Sequence, residues 1–97
     1  MSRTLLERRL DEVSSRLRTL REELSVADEQ LAALEEAADD LRIKALVSET
    51  PMAGREHEEA RRHADAMARH RASVVSELGD LERTQDELLD RLMAESG

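Results

Sequence analysis

Histidines spaced along one helical face are the residues of this 97-residue chain that most resemble a metal site. His63, Met67 and His70 lie at positions i, i+4 and i+7 of a predicted helix. His63 and His70 are then about 10 Å apart along the helix axis. That distance is too long for two ligands of one ion without a third element. The spacing therefore predicts histidines that lie in solvent or beside the helix packing, and no metal centre.

Other catalytic patterns are incomplete. The zinc-protease motif H-E-x-x-H begins at His57, but Arg61 stands where its second His is required. Neighbouring carboxylates such as Glu35 and Glu36 diverge by about 100° on a helix and do not converge on one ion. There is no Gly-rich phosphate loop and no Ser-His-Asp or Cys-His set. We therefore expect no enzymatic activity and no cofactor.

The elements that position these side chains follow from an unbroken heptad pattern. Between Leu6 and Ala45 the apolar residues alternate at spacings of four and three, which is typical of a coiled coil. The a positions are Leu10, Leu17, Leu24, Leu31, Ala38 and Ala45, and the d positions are Leu6, Val13, Leu20, Ala27, Leu34 and Leu41.

A second helix is predicted to begin at Pro51, with Thr50 as its N-cap, because Pro is favoured at the first position of a helix. Its apolar positions also alternate at four and three. They are Ala53, His57, Ala60, Ala64, Met67, Arg71, Val74, Leu78, Leu81, Gln85, Leu88 and Leu92. The polar members His57, Arg71 and Gln85 occupy a positions and weaken this pattern.

Two long helices joined by a short turn run antiparallel, so the predicted fold class is all-α, a long antiparallel two-helix coiled-coil hairpin. We expect one hairpin over residues 1–97, with helices over about 3–47 and 51–95 and a turn over about 48–50. This register pairs Leu20 with Leu78 and places the short Ala27 opposite Arg71. Arg71 is then expected to reach Asp28, or else an acidic group on a partner.

Composition and charge limit the classes of partner. The chain is 39% charged, contains no aromatic residue and no Cys, and has a formal net charge of −8. An acidic surface repels nucleic acid and anionic membranes, so we expect neither as a partner. No signal-like or membrane-spanning apolar run occurs, and we expect a cytoplasmic protein.

Apolar residues outside the heptad pattern indicate where partners bind. Near the turn they are Ile43, Leu46, Val47 and Met52, which either contact a partner or fold over the turn as a cap. Along the second helix an interrupted stripe predicts self-association, as a homodimer paired into a four-helix bundle. The stripe consists of Ala68, Ala72, Val75, Leu89 and Met93.

The layout, a long hairpin with Asp39 and Asp40 towards its tip, resembles the coiled-coil domain of Gre-type transcript cleavage factors. That resemblance implies a transcription regulator whose tip enters the secondary channel of RNA polymerase. Length and hairpin also resemble the WXG100 secreted proteins, although the turn segment carries no Trp. The residues themselves favour a non-enzymatic adapter or small regulator that binds another protein. A structural protein that assembles with itself is the third hypothesis.

Overall fold

The computed structural model describes residues 2–96 and consists of two α-helices, α1 (Arg3–Ser48) and α2 (Pro51–Ser96). The helices pack against each other as the predicted hairpin, and no strand occurs within the described residues. Each helix extends one residue beyond its predicted end. Ser2 caps the start of α1, because its Oγ accepts a hydrogen bond of 3.2 Å from the amide of Leu5.

The turn consists of only two residues outside the helices, Glu49 and Thr50. Glu49 adopts a left-handed conformation with φ of 52°, and its amide donates to the carbonyl of Ala45 at 3.1 Å. This is the single-bond αL motif that often ends a helix. Thr50 Oγ1 accepts from the amide of Ala53 at 3.2 Å, which confirms the predicted N-cap of α2. Both helix ends at the turn are therefore satisfied locally.

The hairpin divides into two packed units. One unit, which we call the leucine unit, comprises residues 2–24 and 74–96 within the described part of the chain. Its core is a single cluster of large aliphatic side chains, and Leu6, Leu17 and Leu20 are fully buried. The rest of that cluster is Val13, Val74, Leu78 and Leu88, with Leu10, Leu24, Leu81 and Leu92 partly buried against it.

The other unit, which we call the alanine unit, comprises Ser25–Ser73 and contains the turn. Its buried apolar residues are all alanines, namely Ala27, Ala38, Ala53 and Ala64. Leu31, Leu34 and Leu41 occupy heptad core positions of α1 but are only half-buried. Alanine side chains are short and cover little of the surface of these leucines, which explains their exposure.

Polar contacts between α1 and α2 reinforce each unit. In the leucine unit, Arg16 binds both carboxylate oxygens of Glu77 at 3.1 and 3.3 Å, and Gln85 donates to Ser14 Oγ at 3.2 Å. The half-buried Gln85 therefore has a hydrogen-bond partner at its a position. No side-chain nitrogen or oxygen buried within residues 2–96 lacks a partner.

Candidate functional site

The tip of the hairpin exposes four large apolar side chains. Ile43, Leu46 and Val47 lie at i, i+3 and i+4 on the last two turns of α1, so they share one side of that helix. Met52 lies on the first turn of α2. Their exposed fractions are 54% for Ile43, 66% for Leu46, 80% for Val47 and 63% for Met52. Side chains exposed to this degree do not form the buried cap that was one of the two predicted arrangements.

Contacts around the turn hold this tip in place. Lys44 Nζ binds Glu56 Oε2 at 3.3 Å and so joins the end of α1 to the start of α2. Ser48 Oγ donates to the carbonyl of Lys44 at 2.7 Å, which satisfies one of the last carbonyls of α1. With the αL residue Glu49 and the N-cap Thr50, these bonds define the path of the chain between the helices. None of them covers the exposed tip side chains.

Arg71 behaves as the sequence predicted in its simpler form. Its guanidinium Nε donates to the carboxylate of Asp28 on the facing helix of the alanine unit. Ala27, the residue before Asp28, is buried opposite Arg71, and the short side chain leaves room for the long one. Arg71 is therefore paired within its own chain. His57, the third polar residue predicted at a core position, is half-buried.

A shallow depression lies on the alanine unit, with a volume of about 280 Å³. It is lined by Leu41, Glu56, Glu59, Ala60 and His63. Ligand pockets usually range from about 300 to 1,000 Å³ and enclose most of the ligand. This open depression is smaller, and Glu56 is already bound to Lys44. It does not have the enclosure that a small-molecule site requires.

No group of three or more His, Asp or Glu side chains within residues 2–96 is arranged to hold a metal ion. His63 and His70 both lie exposed on α2. Neither α1 nor α2, as far as they are described, is apolar enough over a sufficient length to cross a membrane.

The predicted self-association stripe belongs partly to each unit. In the alanine unit, Ala68 is half-buried and Ala72 is exposed. In the leucine unit, Val75, Leu89 and Met93 are 42%, 41% and 70% exposed. The three larger residues are therefore accessible to a partner.

Two features of the site had no counterpart in the prediction. Glu49 adopts the left-handed conformation, and Glu is not among the residues that visit it routinely, so its type gave no signal. The hydrogen bond between Gln85 and Ser14 was also missed. A signal for it was present, because Ser14 follows the d position Val13 and so flanks the core, close to the predicted polar a position of the other helix.

Comparisons with protein-family models, with curated proteins and with solved structures give no match for this chain. The function is therefore argued from the geometry of the hairpin alone.

Proposed function

We propose that this chain is a non-enzymatic protein-interaction module, an adapter or small regulator, whose partner protein binds the tip of the hairpin. One observation carries the proposal: Ile43, Leu46, Val47 and Met52 are all more than half exposed at the end of an otherwise well-ordered helical pair. Clustered exposed apolar side chains of this kind usually mark association surfaces. The fold does not require them, because none occupies a heptad core position.

Their burial against a partner would supply binding free energy. Removal of apolar surface from water stabilises a complex by roughly 25 cal/mol per Å² before the costs of association are subtracted. The Glu49 and Thr50 hydrogen bonds and the Lys44–Glu56 ion pair already order the turn. A preorganised tip loses less conformational entropy on binding than a flexible loop. The tip is thus suited to insert into a groove of its partner.

Charge near the tip describes the groove further. Between positions 42 and 55 the basic residues are Arg42, Lys44 and Arg55, and the only acidic residue is Glu49. The tip is therefore locally basic in a chain whose net charge is −8. We propose a partner whose groove is apolar at its centre and acidic at its rim, since complementary charge directs association and orientation.

A transcription regulator is the second hypothesis. Asp39 and Asp40 are both exposed on α1, a little more than one turn before Ile43. This arrangement supports insertion of the tip into the secondary channel of RNA polymerase, as the resemblance to Gre-type factors implies. The tip itself is apolar and basic rather than acidic, so the adapter is the better-supported function.

Self-association is a further proposal, based on the exposure of Val75, Leu89 and Met93 in the leucine unit. A homodimer built on this stripe would be paired as a four-helix bundle in the cytoplasm. Val75→Glu with Leu89→Glu should weaken that dimer in sedimentation while helicity is retained. A wild-type chain that stays monomeric at every concentration would remove the stripe dimer and leave the tip proposal untouched.

The tip proposal is tested by Leu46→Asp with Val47→Asp, measured by affinity capture of proteins from a native lysate and by thermal melting. Both residues are exposed, so we expect the melting temperature to change little and the wild-type partner to be lost. Val75→Asp with Leu89→Asp is the matched control and should retain the partner. Loss of fold in the tip variant would show that these residues are structural. Retained binding with an intact fold would contradict the proposal, and capture of polymerase subunits would favour the transcription regulator.

A further inference from the structure

Two rows of opposite charge lie on the outer faces of the alanine unit. On α1 the acidic row consists of Glu29 and Glu36, and on α2 the basic row consists of Arg55, Arg62 and Arg69. Within each row the residues are seven positions apart, and a seven-residue spacing keeps side chains on the same side of a coiled-coil helix. All five residues are exposed.

These charges have no partner inside their own unit. The ion pairs of the alanine unit are Lys44–Glu56, Arg61–Asp65 and Arg71–Asp28. Among residues 2–96 the structure shows no ion pair or side-chain hydrogen bond that involves a member of either row. Both rows are therefore free to meet charges on another molecule.

The rows face in opposite directions. The buried alanines of each helix, Ala38 on α1 and Ala64 on α2 among them, define the sides that face the neighbouring helix. Residues of the two rows occupy the heptad position farthest from those sides. One edge of the unit is thus acidic and the opposite edge basic, with charges repeated about every 10.5 Å on both.

We propose that the acidic row of one copy of this chain binds the basic row of a second copy, so that hairpins associate side by side. The two helices run antiparallel, and so α1 of one copy meets α2 of the next in the same antiparallel sense as within the hairpin. The small exposed residue Ala33 lies between Glu29 and Glu36, and Ala66 occupies the same place between Arg62 and Arg69. Small side chains at these places allow the helices to approach closely enough for the charges to pair.

Such a contact joins two different surfaces and does not close with two copies. The basic row of one end copy and the acidic row of the other remain open, so further copies can add. The net charge of −8 opposes association at long range, but at physiological salt this repulsion is screened beyond about 8 Å. The mode of association is independent of the tip and differs from the closed dimer proposed for the Val75 stripe.

The test is sedimentation of the full chain over a range of concentrations. For the wild type we expect the weight-average mass to rise beyond two copies, and to return to one copy in about 1 M salt, where the screening length is about 3 Å. Glu29→Arg with Glu36→Arg makes both edges basic, and Arg55→Glu with Arg62→Glu and Arg69→Glu makes both acidic. Each variant alone should associate at least about tenfold more weakly, and an equimolar mixture of the two should regain association.

A matched control separates the rows from net charge. Glu12→Arg with Glu87→Arg makes the same charge change as the acidic-row variant, at exposed positions of the leucine unit, and should associate like the wild type. Should a charge reversal reduce helicity, the neutral variants Glu29→Gln with Glu36→Gln provide a second test and should also lose association. A wild type that stays monomeric or stops at two copies would overturn the proposal. So would a mixture that fails to associate, or a control that loses association.

Discussion

The two units use the same heptad pattern but bury different side chains. The leucine unit fully buries Leu6, Leu17 and Leu20, whereas every buried apolar residue of the alanine unit is Ala. Burial of a Leu contributes about 1.5–3 kcal/mol, and a single methyl group contributes much less. The comparison shows that one unit supplies most of the apolar stabilisation. The other holds its helices together with small residues and leaves Ile43 and Val47 exposed.

Truncation in the leucine unit should have the largest effect on this comparison. Leu20 is fully buried, so Leu20→Ala is expected to lower the free energy of unfolding by about 2–5 kcal/mol, from lost burial and the cavity left behind. Chemical denaturation followed by circular dichroism measures it. Leu46→Ala, at an exposed position, is the control and should change stability by no more than about 0.5 kcal/mol. Equal losses for the two variants would contradict the assignment of the core.

Enlargement in the alanine unit should have the next largest effect. Ala64 is fully buried, and Ala64→Leu is expected to lower the free energy of unfolding by about 1–3 kcal/mol because the close packing has no room for a larger side chain. Ala66→Leu places the same side chain at an exposed position of α2 and should be nearly neutral. A stabilised Ala64→Leu variant would show that the unit contains unfilled space.

Much of this architecture was predictable from residue spacing. The heptad pattern identified both helices, Thr50 and Pro51 located the start of α2, and the predicted register placed Arg71 near Asp28. The half-exposure of Leu31 and Leu34 was not predicted, since a heptad position specifies direction and not how much the facing side chains cover.

The candidate site was less predictable than the fold. The sequence singled out the four tip residues but left open whether they form a cap, because a two-residue turn can be crossed by side chains in more than one way. Their exposure depends on the backbone at Glu49, whose residue type does not indicate a left-handed conformation. The charge rows of the alanine unit were legible as seven-residue spacings, but their lack of partners required the structure.

The helix cap at the turn should have a moderate effect. Thr50 Oγ1 accepts a bond from the amide of Ala53, so Thr50→Ala should lower the free energy of unfolding by about 1 kcal/mol. Thr50→Ser keeps the hydroxyl and should restore most of that stability. If Ala and Ser variants melt at the same temperature, the cap contributes nothing to the alanine unit.

The smallest effect is expected from Glu49, and it is stabilising. A left-handed residue other than Gly costs roughly 1–2 kcal/mol, so Glu49→Gly should raise the free energy of unfolding, by about 0.5–1 kcal/mol after the greater flexibility of unfolded Gly is subtracted. Glu49→Gln keeps the backbone preference and removes the charge. A Gln variant as stable as the Gly variant would attribute the gain to charge rather than conformation.

The central claim is that the leucine unit holds the hairpin together while the alanine unit, which contains the exposed tip, is held more weakly. Native-state hydrogen exchange tests it most directly, because each amide reports the free energy of the opening that exposes it. We expect the amides of Leu17 and Leu20 to exchange slowest, with opening free energies close to that of global unfolding. The amides of Ala38 and Ala64 should exchange through openings of lower free energy. Equal protection in both units, or slower exchange at Ala38 and Ala64, would contradict the account.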